Sequence, residues 1–166
     1  MDNWYVIQVA AGMELDIKKK LKEKGISSIV PIENRVIRKS KKWIMKEYVI
    51  FPGYIFINTE YDWSTYYILS GINGVIRILG NGYEPIPLSS DEKQLITETA
   101  ELFCRPSVIR FHDNEYEIVS GVLSKLKPYI KNIDKHSRRA LVEMTILGKK
   151  TKFRLSFLTA KTNAAV

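Results

Sequence analysis

The hydrophobic pattern is most distinctive over residues 46–59, where two apolar runs lie on either side of Pro52-Gly53. The runs Val49-Ile50-Phe51 and Tyr54-Ile55-Phe56-Ile57 are β-branched and aromatic, and such continuous runs predict a strand buried on both faces. Because proline removes a ladder hydrogen bond, Pro52-Gly53 predicts a bulge or bend where the strand begins. The bend leaves two alternatives for the flanking aromatic residues: they turn out onto a surface, or they belong to the core.

Strand and helix patterns alternate through the first hundred residues. An amphipathic helix is predicted over residues 14–24, with its lysines exposed, and Gly25 is a typical helix end. Residues 26–57 predict a hairpin whose tip, Lys39-Ser40-Lys41-Lys42, is basic. The other predicted elements are strands at 3–10 and 75–79 and helices at 62–69 and 89–103.

The pattern changes after Cys104. Residues 115–161 contain short strands without a helical period, and apolar residues alternate with polar ones in the last pair, for example at Val142, Met144, Phe153 and Leu155. This predicts a small β-barrel. The predicted fold class is α+β: an N-terminal α/β domain with an antiparallel sheet at 1–105, a flexible linker at 106–113 and a β-barrel at 114–166.

Charge is unevenly distributed along the 166 residues. The net charge is +8, and residues 113–166 hold 11 Lys and Arg but 5 Asp and Glu, a net of +6. A basic segment of this kind favours a polyanionic partner, because each neutralised phosphate releases counterions. The alternative is a basic face that only keeps the protein in solution.

Several functional classes find little support in the sequence. There is no Gly-rich phosphate loop and no recognisable catalytic motif, so an enzyme is not expected. One cysteine, Cys104, with His112 and His136 does not favour a zinc site, and we expect neither a metal nor another cofactor. No apolar run is long enough to cross a membrane and no signal peptide is visible, which favours a cytoplasmic location.

The basic side chains of the predicted barrel are the strongest candidate binding site. They flank or line the turns and outward positions, where loops can converge on one face, and arginine can also stack on unpaired bases. The predicted RNA-binding residues are Lys125, Lys127, Lys131, Lys135, Arg138, Arg139, Lys149, Lys150, Lys152 and Arg154.

Three motifs together carry a family resemblance. Phe51-Pro52-Gly53-Tyr54 followed by an apolar strand, Trp4-Tyr5-Val6-Ile7-Gln8 near the N-terminus and a Gly12-x-Glu14 step into a helix resemble the NusG family of transcription elongation factors. The similarity extends to about residue 162. It implies a NusG-like N-terminal domain and a C-terminal barrel of the KOW type.

The resemblance implies RNA polymerase as a partner. The N-terminal domain of this family is expected to dock on the clamp helices of the large β′ subunit, and the matching positions here are Trp4, Tyr5, Phe51 and Tyr54. In specialised paralogs a triplet on the short helix meets the non-template DNA strand. The matching positions are Trp63, Ser64 and Thr65, although the residue types differ from that triplet.

The barrel resembles KOW domains at Val119-x-Gly121, Ile133-Asp134, Leu147-Gly148 and the closing Phe157, with one departure, Pro128 in place of glycine. The basic surface suggests a specialised paralog, and the chain most resembles the LoaP subgroup, processive antiterminators of long operons. That resemblance implies that the barrel binds an RNA hairpin in the leader transcript. It also implies terminator read-through by a protein that we expect to be a monomer.

Two alternative hypotheses from other functional classes remain open at this point. A ribosome-associated RNA-binding protein would also carry a small basic barrel, but it would not need aromatic residues that dock on polymerase. A nucleic-acid-processing enzyme would turn over RNA or DNA in the presence of a metal or nucleotide.

Overall fold

The computed structural model describes residues 2–161; Met1 and residues 162–166, the outer ends of the two predicted domains, lie outside it. Its elements in chain order are β1 (Asn3–Val9), α1 (Glu14–Glu23), β2 (Ser27–Ile29), β3 (Ile32–Lys39), β4 (Lys42–Val49), β5 (Tyr54–Thr59), α2 (Trp63–Ser70), β6 (Val75–Ile78), α3 (Ser90–Thr99), β7 (Ser107–His112), β8 (Glu115–Ser120), β9 (Ile130–Asp134), β10 (Arg139–Ile146) and β11 (Lys149–Thr159).

The chain forms two compact units, and neither is continuous in sequence. The first consists of Met1–Val30, Phe51–Thr97 and Ile146–Lys149, and the second of Pro31–Ile50, Glu98–Thr145 and Lys150–Val166. The units therefore do not coincide with the predicted domains 1–105 and 114–166, because residues 31–50 group with the C-terminal strands.

A four-stranded antiparallel sheet forms the first unit, in the order β2-β5-β1-β6. The central strands β1 and β5 carry the continuous apolar runs, and Ile7, Ile55 and Ile57 are fully buried in them. Burial of each such side chain stabilises the fold by about 1.5–3 kcal/mol relative to exposure. The prediction of a doubly buried strand is confirmed for β5.

The helices of the first unit begin where the sequence indicates. Asp62 caps α2, its carboxylate accepting the Thr65 N–H at 2.8 Å. Ser89 and Glu92 form a capping box at α3, in which each side chain accepts the other's backbone N–H. Helix α3 ends at Thr99 rather than at the predicted Phe103, and the chain continues in turns that bury Phe103.

A curled five-stranded sheet in the order β8-β7-β11-β10-β9 makes a half-barrel in the second unit. Strand β7 pairs antiparallel with β8 and parallel with β11, where Ser107 lies opposite Phe157. Its interior is filled by Ile109, Leu123, Leu126, Val142 and Phe157, all fully buried. Residues 107–112, inside the predicted linker 106–113, form a paired strand of the half-barrel.

Gly121 allows β8 to turn closely past β7. Its φ is +98°, and a Cβ placed there would lie 2.4 Å from the Cα of Ser107. The Ser107 hydroxyl in turn accepts the Leu123 N–H at 3.0 Å. Any larger residue at 121 would both strain the backbone and displace β7.

Strands β3 and β4 form a separate hairpin within the second unit, in register from Ile32↔Val49 to Lys39↔Lys42. Its tip residues Ser40 and Lys41 have φ values of 50° and 65°. Positive φ at both central residues is the type I′ geometry that suits the twist of a two-residue hairpin. The predicted hairpin with a basic tip is therefore present.

Candidate binding surfaces

A buried carboxylate holds the Pro52-Gly53 bend in place. The Gly53 N–H donates to Glu14 Oε1 at 2.7 Å, and the Gly12 N–H donates to both oxygens, at 3.2 and 3.0 Å. Gly53 has a φ of +85°, and its carbonyl accepts the Val9 N–H at 2.8 Å. The sequence pattern predicted Glu14 only as a residue at the start of a helix. The structure shows in addition that Glu14 contacts Gly53, 39 residues away.

Glu14 is expected to stabilise the bend as an anion. Burial by itself raises the pKa of Glu14, but hydrogen bonds from the N–H groups of Gly53, Glu14 and Gly12 outweigh burial and lower the pKa below its usual 4.5. A lowered pKa in the folded state means that the unfolded state binds more protons. This stabilisation is therefore complete above pH 4.5 and is lost as the pH falls through the folded-state pKa.

Replacing Glu14 by glutamine should lower the free energy of unfolding by about 1–3 kcal/mol at neutral pH, because charge-assisted hydrogen bonds are lost. Urea unfolding of both proteins at neutral and acid pH measures this. The difference should shrink as the pH falls below 4.5. Equal stability of the two proteins at neutral pH would contradict the assignment.

Two of the four predicted polymerase-docking residues share one sheet face. Gln8 lies opposite Tyr54 and Trp4 opposite Asn58, so these side chains point the same way. Tyr54 is 38% exposed and Trp4 is half-buried. Arg77 of β6 joins them, its Nε donating to Gln8 Oε1 at 2.9 Å. We call Trp4, Gln8, Tyr54, Asn58 and Arg77 the β1–β5 face.

The other two predicted docking residues are buried. Phe51 is 6% exposed and packs edge-on against Phe56, with ring centroids 5.7 Å apart. Tyr5 is 7% exposed, and its ring lies 5.9 Å from that of Tyr61. In this conformation Phe51 and Tyr5 belong to the core, and the docking prediction rests on Trp4 and Tyr54.

Helix α2 presents a group of exposed rings. Trp63 is 75% exposed, and the rings of Tyr66 and Tyr67 lie 5.9 and 6.4 Å from it. We call these three residues the aromatic cluster. Positions i, i+3 and i+4 share a helix face, so the spacing was visible in the sequence, although the two tyrosines were not singled out there.

The three residues of the predicted DNA-contacting triplet differ in exposure. Trp63 and Ser64 are exposed, whereas Thr65 is buried. The Thr65 N–H bonds to Asp62, and its hydroxyl donates to the Glu60 carbonyl at 2.9 Å. Thr65 therefore fixes the start of α2 and presents no surface to a ligand.

Eight of the ten predicted RNA-binding residues are exposed, and Arg138 and Arg139 are half-buried. Lys152 and Arg154 alternate along β11 with buried Phe153 and Leu155, as the pattern predicts. Lys152 Nζ lies 3.7 Å from Glu143 Oε2 on the neighbouring strand. Pro128 lies in a 3₁₀ turn at Lys127–Tyr129, a geometry that suits its fixed φ.

Within residues 2–161, no helix is long and apolar enough to span a membrane. The same residues contain no group of three or more His, Cys, Asp or Glu side chains placed to hold a metal ion.

Residues 2–97, more than half of the chain, match the family model described as "Transcription termination factor nusG". The chain belongs to the NusG family. The Bacillus subtilis transcription termination/antitermination protein NusG is 28% identical over 93% of this chain and 95% of its own length. The NusG protein of Thermus thermophilus is 25% identical, with the same coverage.

The fold agrees with that of a solved NusG. A structure titled "Domain interaction in Thermotoga maritima NusG" superimposes with a TM-score of 0.55 at 23% identity, covering 94% of both chains. The protein is thus a NusG-type transcription termination/antitermination factor, from a family of transcription factors rather than enzymes. Its half-barrel corresponds to the KOW-type domain.

Proposed function

We propose that this NusG-family protein is a processive antiterminator of the LoaP type, a cytoplasmic monomer that holds RNA polymerase and a structured leader RNA at the same time. The observation that carries the proposal is the exposed basic surface of the half-barrel, which includes Lys149, Lys150, Lys152 and Arg154. A factor that contacts only polymerase and other proteins does not need such a surface.

The polymerase contact is assigned to the β1–β5 face. Interface anchors are typically aromatic residues flanked by polar groups, and Tyr54 and Trp4 lie beside Gln8, Asn58 and Arg77. The expected partner surface is the clamp helices of the β′ subunit. Glu14 supports this face indirectly, because it fixes Gly53, the residue before Tyr54.

A contact with the non-template DNA strand is assigned to α2. Exposed rings stack on unpaired bases of any sequence, and each stacked base contributes about 1–3 kcal/mol. The aromatic cluster supplies such rings, and exposed Ser64 beside Trp63 adds a hydroxyl group that can bind a base or phosphate.

The RNA contact has an electrostatic and a structural part. Outward Lys and Arg residues neutralise phosphates, which gives affinity but no sequence preference. Selectivity for one leader RNA comes from the shape of its hairpin or from bases splayed out in its loop.

A transcription assay tests the proposal. Purified RNA polymerase transcribes a template with a terminator, with or without an upstream RNA hairpin that the protein selects from a pool. Addition of the protein should raise read-through on the template with the hairpin. The variant Lys152→Gln/Arg154→Gln should lose this effect and keep polymerase binding.

Two outcomes would contradict the proposal. Read-through that does not depend on the hairpin would assign the protein a general elongation role. Co-sedimentation with ribosomes, together with failure of the full chain to retain polymerase, would favour the ribosome-associated alternative.

A further inference from the structure

The β3–β4 hairpin is anchored to the half-barrel through a buried carboxylate. Glu33 is 3% exposed, and its Oε2 accepts the Ser156 N–H of β11 at 3.1 Å. The Ser156 hydroxyl donates to the Asn34 carbonyl at 3.4 Å. Ser156 lies at an outward strand position but is buried by this contact, so the base of the hairpin is part of the second unit.

Positive side chains gather at this junction. Arg35 and Lys46 lie directly opposite each other in the hairpin, and their charged groups lie 4.3 and 5.6 Å from the ring centroid of Tyr48. From the barrel, the Arg138 guanidinium stacks 4.2 Å from the ring centroid of Trp43. The hairpin and the barrel therefore both contribute cations to the junction, although Trp43 and Lys46 lie on opposite faces of β4.

Arg139 is the fourth cation. Burial has the larger effect and lowers the pKa of Arg139, and the positive charge of nearby Arg35 lowers this pKa further. The two arginines, one from the hairpin and one from the barrel, therefore repel each other. We call Arg35, Lys46, Arg138 and Arg139 the hairpin–barrel cluster.

One buried carboxylate, that of Glu33, lies near Arg35 and Arg139. Glu33 Oε1 lies 2.6 Å from Arg35 Nε, and it is the acid that lies near Arg139 as well. Like charges directly opposite in a strand pair destabilise the pair. An anion that enters the junction would relieve this repulsion. Stacking on Trp43 uses the face of Arg138 and leaves its N–H edge to bind oxygen atoms.

We propose that the hairpin–barrel cluster is a second contact site for the phosphodiester backbone of the RNA, so that hairpin and barrel bind the RNA together. This rests on the proposed RNA-binding function and extends it to residues outside the barrel. The opposite arrangement, in which the hairpin masks Arg138 and Arg139, predicts that weakening the hairpin raises RNA affinity. We favour joint binding because the gathered positive charge is relieved by an anion.

Equilibrium binding by the full chain tests the site. The probe is a short RNA stem–loop that the full chain selects from a pool with a randomised loop, and affinity is measured over a series of salt concentrations. Lys46→Gln removes one exposed hairpin charge, and Lys19→Gln, on the exposed side of α1, is the matched control.

Lys46→Gln should weaken binding about tenfold, as expected for one charge-assisted contact. The slope of log affinity against log salt should become shallower by about 0.7–0.9. Lys19→Gln should change neither quantity. Unchanged or increased affinity of Lys46→Gln would overturn the proposal.

The barrel variant Lys152→Gln/Arg154→Gln separates the two proposals. If it weakens binding while Lys46→Gln does not, the hairpin site is wrong and the RNA-binding function stands. If neither variant changes the affinity, the assignment of RNA binding to the barrel is contradicted, and if no RNA is selected, the RNA-binding function itself is contradicted.

Discussion

Replacing Lys149, Lys150, Lys152 and Arg154 together by glutamine is expected to weaken RNA binding by the full chain at least about a hundredfold, since each charge-assisted contact contributes about tenfold. The salt slope should become shallower by about three if all four residues contact phosphates. Fluorescence anisotropy with the selected stem–loop, at near-physiological salt, measures both quantities.

A matched control is available in the first unit. Helix α1 also exposes four lysines, and replacing them by glutamine removes the same charge from the protein without touching the barrel. The control residues are Lys18, Lys19, Lys20 and Lys22. Equal loss of affinity in the control would mean that RNA affinity depends only on the net charge of the protein. Equal affinity of the original protein for a scrambled RNA would make the barrel a non-specific polyanion surface.

The thermal stability of the quadruple glutamine variant of the barrel should be unchanged. The four side chains are exposed, whereas the core depends on Phe153, Leu155 and Phe157, which are buried. Surface substitutions of this kind usually change the free energy of unfolding by less than about 0.5 kcal/mol. A lowered melting temperature would mean that the loss of affinity reflects unfolding.

Tyr54→Ala should lower the affinity for RNA polymerase by about 2 kcal/mol or more, roughly thirtyfold, because aromatic anchors dominate interface energies. Its exposed ring can be removed without opening the core. Phe51→Ala should act differently, costing about 3–5 kcal/mol of folding stability because it leaves a cavity beside Phe56.

The two variants are compared by polymerase pull-down and by urea unfolding. Tyr54→Ala should bind polymerase weakly and unfold like the original protein, and Phe51→Ala should unfold at a lower urea concentration. If Phe51→Ala keeps full stability and loses polymerase binding, then Phe51 reaches the partner through a conformation other than the one described. If Tyr54→Ala binds normally, the β1–β5 face is not the docking site.

Much of the fold follows from local signals. The apolar runs of β1 and β5, the Pro52-Gly53 bend and the alternation along β10 and β11 are each determined by a few neighbouring residues, and the structure confirms them. Neighbouring residues do not determine on which side of the bend an aromatic residue lies. A two-residue period does not extend across Pro52-Gly53, so the sequence left the burial of Phe51 open.

The parts that the sequence missed depend on distant residues. Glu14 binds the bend from another element, and Ser156 is buried by a carboxylate more than a hundred residues earlier in the chain. Thr65 is an exception, since its hydrogen-bond partners Asp62 and Glu60 lie only three and five residues before it. Residues 107–112 showed no clear period in the sequence, because buried Ser107 is polar whereas half-buried Val108 is apolar.

The parallel pairing of β7 with β11 also affects how the protein is made. The strands of the four-stranded sheet have all been synthesised by Ile78, so this sheet can form while the ribosome is still translating the rest. The five-stranded sheet has to wait for residues 157–159, the partners of β7 at the very end of β11. Its long-range closure is intrinsically slow. A nascent chain can therefore form its β1–β5 face well before the basic surface of its half-barrel.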